Sequence, residues 1–252
     1  MNNQNELSRI NRVAWETSAF EAWVKKYGEP EAAASQIASN PEHTARRILP
    51  HLQNPKDLLI ANPLGSHGRL ATALSLLGAK AKVFDISSSN AKYGTALAKA
   101  AGASVEYVVG DFVERCEDYH NCFDATVMEL GILHYFHSLP EFVSALVQIT
   151  KPNGIIILVD FHPFTKKLLR FGEDRIEVGG DYFSTVAERA PTPYEEVLGY
   201  KLPPCLVRRW KLSDILSAFL VPELGIVSFS EEPAWESEKI PGIFTLVVKR
   251  HK

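Results

Sequence analysis

The sequence predicts an α/β protein built on a doubly wound sheet of seven strands, mostly parallel with the last strand antiparallel. An N-terminal helical cap and an insertion after the fifth strand complete the expected architecture. Three observations carry this. From residue 54 onward short apolar runs alternate with amphipathic stretches, the mark of parallel strands joined by helical crossovers. Turn clusters such as Asn54-Pro55-Lys56-Asp57 stand at the joints. The last two strand-like runs are separated by about a dozen residues with Pro233 and Pro241 among them, too broken for a helical crossover, so they are expected to be antiparallel neighbours.

Taken in order, residues 6 to 52 read as helix, with Ile10, Val13, Ala14, Trp15, Phe20, Trp23 and Val24 at helical spacings and a break at Gly28-Glu29-Pro30. Asn40 can cap a further helix whose first residue is Pro41. The cap is assigned to residues 1–53 and the core to 54–252. Within the core the strands are Leu58-Leu59-Ile60-Ala61, Ala81-Lys82-Val83-Phe84-Asp85, Val105-Glu106-Tyr107-Val108-Val109, Phe123-Asp124-Ala125-Thr126-Val127-Met128 and Ile155-Ile156-Ile157-Leu158-Val159. Helices are expected over 69–77, 89–101 and 139–150. Residues 163–206 lack a sustained period and read as an insertion over one end of the sheet. Ser213 can cap a short helix after it, and strands over 225–230 and 243–248 close the chain.

Composition narrows the function classes. The 252 residues are 46% apolar, with 27 Lys and Arg against 30 Asp and Glu for a formal charge of −3. That excludes collagen, coiled coil, disorder and disulfide-stapled scaffolds. Without a dense basic block, a partner recognised through nucleic-acid phosphates is disfavoured and a small molecule is the expected ligand. The three cysteines are odd in number and form no C-x-x-C pair, so they read as buried or inert thiols. A polar amino terminus without a basic flank or apolar core predicts no secretory leader. No apolar run reaches the roughly 18 residues of a membrane helix, and a cytoplasmic protein is expected.

The strongest chemical signal is the loop Asn62-Pro63-Leu64-Gly65-Ser66-His67-Gly68, set between the first strand and the next helix. A glycine-bearing turn there lets backbone N–H groups approach a ligand at the helix amino terminus. Asp85 ends the second strand, seventeen residues past Gly68, where a carboxylate can accept both hydroxyls of a ribose. A tight turn with a capping Asp is the plainer alternative. As a dinucleotide fingerprint the loop keeps two of three glycines. As the acid-x-G-x-G-x-G loop of S-adenosylmethionine (SAM) methyltransferases, Asn62, Leu64 and Ser66 replace the acid and two glycines. Glycine count alone favours a nicotinamide cofactor.

Other segments reverse that preference. Gly110-Asp111-Phe112 follows the third strand, where Asp111 can accept from an adenine amino group and Phe112 can frame the base. Thr150-Lys151-Pro152-Asn153-Gly154 precedes the fifth strand, and the closing antiparallel pair is foreign to the nicotinamide fold. Together these resemble a class I SAM-dependent methyltransferase of Rossmann-like fold, whose usual turn is L-K-P-G-G. The resemblance covers roughly residues 11–249. It is nearest to bacterial small-molecule methyltransferases, through Asn11-Arg12-Val13-Ala14-Trp15 and Glu129-Leu130-Gly131-Ile132-Leu133-His134-Tyr135-Phe136. It implies SAM as cofactor, with Asn62, Gly65, Ser66, His67 and Gly68 toward its methionine part, Asp85 at the ribose, Asp111 and Phe112 at the adenine, and Ile86 also among the cofactor-binding residues. Glu129, beside Leu130, can hold the ammonium that Asn62 has no charge to pair.

Methyl transfer needs an aligned nucleophile and, for a hydroxyl or ammonium acceptor, a base of near-neutral pKa. His134, with Tyr135 beside it after the fourth strand, is the first candidate and His162, after the fifth, the second. Each has a bland reading as a packing or turn residue. Asp160, His162 and Glu129 lack metal-ligand spacing, so no metal is expected. Trp15, Phe20, Trp23, Tyr27, Tyr182, Phe183 and Trp210 can wall an acceptor pocket, although the eight-residue step from Trp15 to Trp23 is equally a helix-packing stripe. Arg208-Arg209 can hold an acidic substrate or simply be solvated. The sequence reading is therefore methyl transfer from SAM to a small molecule. The alternatives are an NAD(P)-dependent oxidoreductase and a non-catalytic SAM-binding module.

Overall fold

The structure, a computed structural model, describes residues 4–172 and 175–252. Met1 to Asn3, on which the expectation of a leader-free start partly rests, and Glu173 and Asp174 in the expected insertion lie outside the described residues. The amino-terminal part folds as α1 (Gln4–Glu16), α2 (Ala19–Tyr27), α3 (Pro30–Ser39) and α4 (Pro41–Thr44). Gly28 ends α2 at φ 87°, a conformation open to glycine, and Pro30 starts α3 where no N–H donor is needed. The Asn40 side chain caps α4 by accepting from His43 N at 2.9 Å.

Strands and helices then alternate: β1 (Leu59–Pro63), α5 (Arg69–Leu76), β2 (Lys80–Asp85), α6 (Ser88–Ala101), β3 (Val105–Val109), α7 (Phe112–Arg115), β4 (Phe123–Glu129), α8 (Leu139–Ile149) and β5 (Thr150–Phe161). The Lys151-Pro152-Asn153-Gly154 turn is absorbed into the start of β5 as a register shift, with Asn153 at φ 64°. Asparagine tolerates that left-handed backbone better than most residues. Residues after β5 form short pieces: β6 (Leu169–Phe171) paired with β7 (Ile176–Val178), and β8 (Glu188–Ala190) paired with β9 (Cys205–Val207), with α9 (Tyr194–Leu198) between the latter two. Then come α10 (Leu212–Phe219), β10 (Leu224–Ala234) and β11 (Ser237–Arg250).

The seven-stranded sheet has the order β10-β11-β5-β4-β1-β2-β3. β1 to β5 pair in parallel, and β11 lies antiparallel to both β5 and β10. Both faces are apolar, and successive residues of a strand enter opposite cores. Ile60, Val127 and Ile157 pack with the cap helices, α5 and α6, while Ala61, Met128 and Leu158 pack with α8 and α10. That is the behaviour of strands buried on both sides. The order reverses between β1 and β4, so their carboxyl ends open the crevice where such sheets bind ligands. No helix among the described residues is long and apolar enough to cross a membrane.

Two details depart from expectation. The connection between the last strands is itself strand, since β10 and β11 run on to a two-residue turn at Trp235 and Glu236, and Pro233 faces Pro241 across a register shift where neither has a donor to lose. Ser213 does not cap α10. Asp214 does so by accepting from Lys211 N, three residues back.

Candidate functional site

The loop after β1 keeps the backbone of a glycine loop without its glycines. Leu64, Ser66 and Gly68 have φ of 51°, 51° and 71°, all left-handed, at the three positions where the acid-x-G-x-G-x-G pattern places glycine. Such a conformation costs an ordinary residue roughly 1–2 kcal/mol, so surrounding contacts must hold it. They are present. Asp85, at the end of β2, accepts from Ser66 N at 2.9 Å, Ser87 N at 2.9 Å and Asn90 Nδ2 at 3.0 Å. Tyr107 on β3 donates its hydroxyl to Ser66 O at 3.2 Å and fills the space a side chain on Gly68 or Gly94 would need. Burial pushes the Asp85 carboxyl above the usual carboxylate range, against the pull of its donors Asn90, Ser87 and Ser66.

Asn62 is buried in this loop. Its Nδ2 donates to Val127 O at 2.9 Å, and its Oδ1 has no partner. His67 stacks on Trp23 with ring centroids 3.8 Å apart and on Tyr27 at 5.1 Å. Its burial, with Arg69 and Lys26 nearby, holds the imidazole far below its usual value and therefore neutral. Arg69 lies over the Tyr27 ring at 4.4 Å, and its Nη1 is buried without a hydrogen-bond partner.

The loop after β4 is fastened in a parallel way. Asp160, near the end of β5, accepts from Gly131 N at 2.7 Å, Ile132 N at 3.2 Å and Leu133 N at 2.9 Å, and from its own neighbour Phe161 N at 2.8 Å. These four bonds position His134 and Tyr135 on the next turn. Burial, with Arg209 and Lys166 adding positive charge, drives the His134 pKa down to about 3. The ring is neutral across the physiological range and accepts hydrogen bonds while resisting protonation. Burial raises the Tyr135 hydroxyl well above its ordinary value, so it stays protonated.

The cap closes on this edge. From α1, Ser8 Oγ donates to Asp111 Oδ2, and Gln4 Nε2 reaches the same oxygen at 3.5 Å, while Asp111 Oδ1 caps α7 through Val113 N at 2.8 Å. Glu16 gathers the hydroxyls of Ser87, Ser88 and Ser89 at the amino end of α6. Burial would raise its pKa, and the bonds from Ser88, Ser87 and Ser89 hold it below the ordinary range instead. Arg47 meets Glu129 at 3.4 Å and Glu232 at 3.0 Å. Burial still keeps the Glu129 carboxyl raised, with Arg47 pulling against it. Asn90 joins cap, core and the segment after β5, because its Oδ1 accepts from Trp23 Nε1 and Tyr194 Oη, each at 2.8 Å, while its Nδ2 holds Asp85.

A cavity of about 590 Å³ results, walled by Asn62, Gly65, Ser66, His67, Asp85, Ile86, Asp111, Phe112, Glu129 and Leu130, with His134 and Tyr135 at one side. Gly68 is covered by Tyr107 and is not among the lining residues. His162 is not there either. Its Nδ1 accepts from Phe164 N at 3.2 Å and its Nε2 meets Glu231 at 2.9 Å, on the β10 hairpin. A second cavity of about 330 Å³ adjoins the first beneath the residues after β5, lined partly by Trp210 and Arg209. Of the aromatic set, Trp15, Trp23 and Tyr27 line the larger cavity, while Trp15 also packs edge-on against Tyr135 and Tyr194. Arg208 stacks on Trp210 at 4.3 Å.

Sequence reasoning missed Arg47, Asn90, Tyr107 and the fastening role of Asp160. Arg47 and Glu129 are 82 residues apart, and nothing local announces their pairing. Asp160 did carry a signal: an acid at a strand end beside a glycine-bearing loop on the neighbouring strand.

Comparison with known proteins bears on this edge directly. Residues 64–158 match a family described as methyltransferase domain. A ubiquinone biosynthesis O-methyltransferase of Rickettsia canadensis (strain McKiel) is 27% identical over 117 residues, 46% of this chain and 48% of that protein. The protein of the same name from Rickettsia prowazekii (strain Madrid E) is 25% identical over 170 residues, 68% of this chain and 64% of the relative. The chain thus spans about half to under two thirds of the length of these curated relatives. Among solved structures, magnesium protoporphyrin IX methyltransferase from Synechocystis PCC 6803 with bound S-adenosylhomocysteine (SAH) superposes with a TM-score of 0.62 at 15% identity, over 96% of this chain and 99% of that one, which speaks to the fold. The matched residues 64–158 carry both the loop after β1 and the loop after β4, and the strand order is that of the solved methyltransferase structures the chain superposes on.

Proposed function

We infer that the chain transfers a methyl group from SAM to a small-molecule acceptor. The observation that carries this is the larger cavity at the reversal of strand order, which collects every cofactor candidate except Gly68. The donor set suits the cofactor. Asn62 Oδ1, buried and unpaired, offers an acceptor to the ammonium of SAM where most of the family has a carboxylate. Asp85 suits the ribose hydroxyls, and Asp111 with Phe112 suits the adenine. When bound, SAM supplies a methyl group made electrophilic by the sulfonium.

What the chain's own residues contribute is alignment and exclusion of water. In this reading residues 1–53 cover the cofactor and residues 163–206 wall the acceptor side. With a pKa of about 3, His134 is a weak proton sink at neutral pH and acts by accepting a hydrogen bond that orients the acceptor. Tyr135, protonated, is a donor beside it. His162 faces Glu231 and takes no part. A net charge of −3 favours a small acceptor over a nucleic acid.

Calorimetry with SAH, NAD and NADP, followed by SAH release across a panel of small hydroxyl and amine acceptors, tests the reading. SAH alone is expected to bind, with affinity lost in Asp85→Ala. Binding of NAD in place of SAH favours the oxidoreductase. SAH binding without turnover on any acceptor favours the non-catalytic module.

A further inference from the structure

The smaller cavity is lined by no cofactor candidate, yet it meets the larger one at His134, Tyr135, Phe161 and Pro193, which line both. Its charge is one-sided, with Lys166, Lys167 and Arg209 in the lining against Asp160 alone. Asp160 is saturated by its four backbone donors. Lys167 commits its ammonium to Ser184 O at 2.6 Å and Arg209 O at 2.9 Å. Arg209 is paired with Glu188 through Nε at 2.5 Å.

Lys166 differs from these. Among the described residues no carboxylate lies within ion-pair distance of it, and its Nζ sits 4.5 Å from the centre of the Phe161 ring, one of the residues shared by both cavities. Glu236 and Asp160 act on it only from a distance. Trp210, Val207 and Ile215 supply an apolar wall that suits a flat ring.

We propose that this chamber binds the methyl acceptor and that the acceptor is a small aromatic acid whose carboxylate pairs with Lys166. The proposal rests on the methyltransferase reading for the words "methyl acceptor" but not for the anion site itself. A carboxylate gains a charge-assisted bond from Lys166 while its ring lies against the apolar wall of Trp210, Val207 and Ile215, whereas a neutral acceptor leaves the exposed ammonium to water. Burial first, and Arg209 and Lys166 after it, hold the His134 pKa down, in keeping with the positive charge of this lining.

The test is titration of 4-hydroxybenzoate and of its uncharged counterpart 4-hydroxybenzamide into the full chain, with and without saturating SAH. In wild type with SAH the acid is expected to bind at least tenfold more tightly than the amide. Lys166→Met is expected to abolish that preference, Lys166→Arg to retain it, and SAH affinity to be equal in all three proteins, with circular dichroism confirming that each is folded. Equal binding of acid and amide, no binding of either, or a preference that survives Lys166→Met overturns the proposal. A fall in SAH affinity in Lys166→Met also overturns it, assigning the lysine to the cofactor's own carboxylate. If SAH fails to bind while the Lys166-dependent preference persists, the anion site stands and the methyltransferase reading falls.

Discussion

Two loops at one edge of the sheet, after β1 and after β4, are fastened alike and differ in what their fastening carboxylates leave free. Each contains non-glycine residues in left-handed backbone, Leu64 and Ser66 in the first and Leu130 in the second. Each is fastened by a buried aspartate from the neighbouring strand, Asp85 from β2 and Asp160 from β5, and burial raises the pKa of both. The difference lies in what the carboxylates have left to offer. Asp160 spends itself on four backbone N–H groups and is absent from the lining of the larger cavity, while Asp85 meets one N–H of its loop, accepts from Ser87 N and Asn90 Nδ2 at the start of α6 and lines that cavity. A strand-end aspartate is therefore read as a ligand group by its unspent acceptor capacity, not by its position.

The largest effect expected from this comparison is on stability at Asp160. Asp160→Ala strands three loop N–H groups in a buried setting, so a loss of about 3–5 kcal/mol is expected, or a fall in Tm of about 10 °C. Scanning calorimetry measures it. Asp85→Ala is expected to cost less stability, about 1–2 kcal/mol, but to weaken SAH roughly 100-fold, equivalent to about 2.7 kcal/mol. If Asp160→Ala weakens SAH more than Asp85→Ala does, at temperatures where both are folded, the assignment of roles is reversed.

Much of this edge was legible in the chain. Short apolar runs alternating with amphipathic stretches locate five parallel strands, and the loop after the first of them, with Asp85 at the end of β2, lies at the crevice, because both depend on local spacing. What stayed hidden depends on contacts between distant segments. His162 follows β5 as expected, yet pairing with β11 continues one residue past Phe161, from His162 N to Gly242 O at 2.8 Å, and this carries the ring to Glu231. The length of the β10 and β11 hairpin decided that, and its prolines concealed the length. Gly68 looked like room for a ligand and is room for Tyr107, a side chain 39 positions away in sequence that no spacing rule connects to it.

The loop after β4 also carries the clearest pH signature. His134 has a folded pKa of about 3 against an ordinary 6.5, so between these values the unfolded chain binds the extra proton. Stability is therefore intact above pH 6.5 and falls as pH drops toward 3, by up to about 1.4 kcal/mol per unit from this group. Urea unfolding at pH 5, 6 and 7 is expected to show a smaller slope in His134→Gln than in wild type. The difference isolates one ring from the other titrating groups. An unchanged slope means that His134 protonates freely in the folded chain and is open to act as a base after all.

The smallest effect probes the strain that the first loop carries. Ser66 holds φ 51° while its N–H meets Asp85 and its carbonyl meets Tyr107, and all of these are backbone contacts that Ser66→Gly retains. The side chain offers only a 3.4 Å contact with His67 Nδ1. Glycine relieves roughly 1–2 kcal/mol of left-handed strain but adds about 0.4–1 kcal/mol of unfolded-state entropy. A net gain of about 0.5 kcal/mol is expected, close to 1–2 °C in Tm, with the opposite sign for the β-branched Ser66→Val. Loss of stability in Ser66→Gly means that Asp85 and Tyr107 do not hold the loop against strain. The hydroxyl then matters more than the backbone it sits on, and the likeness between the two loops is one of shape alone.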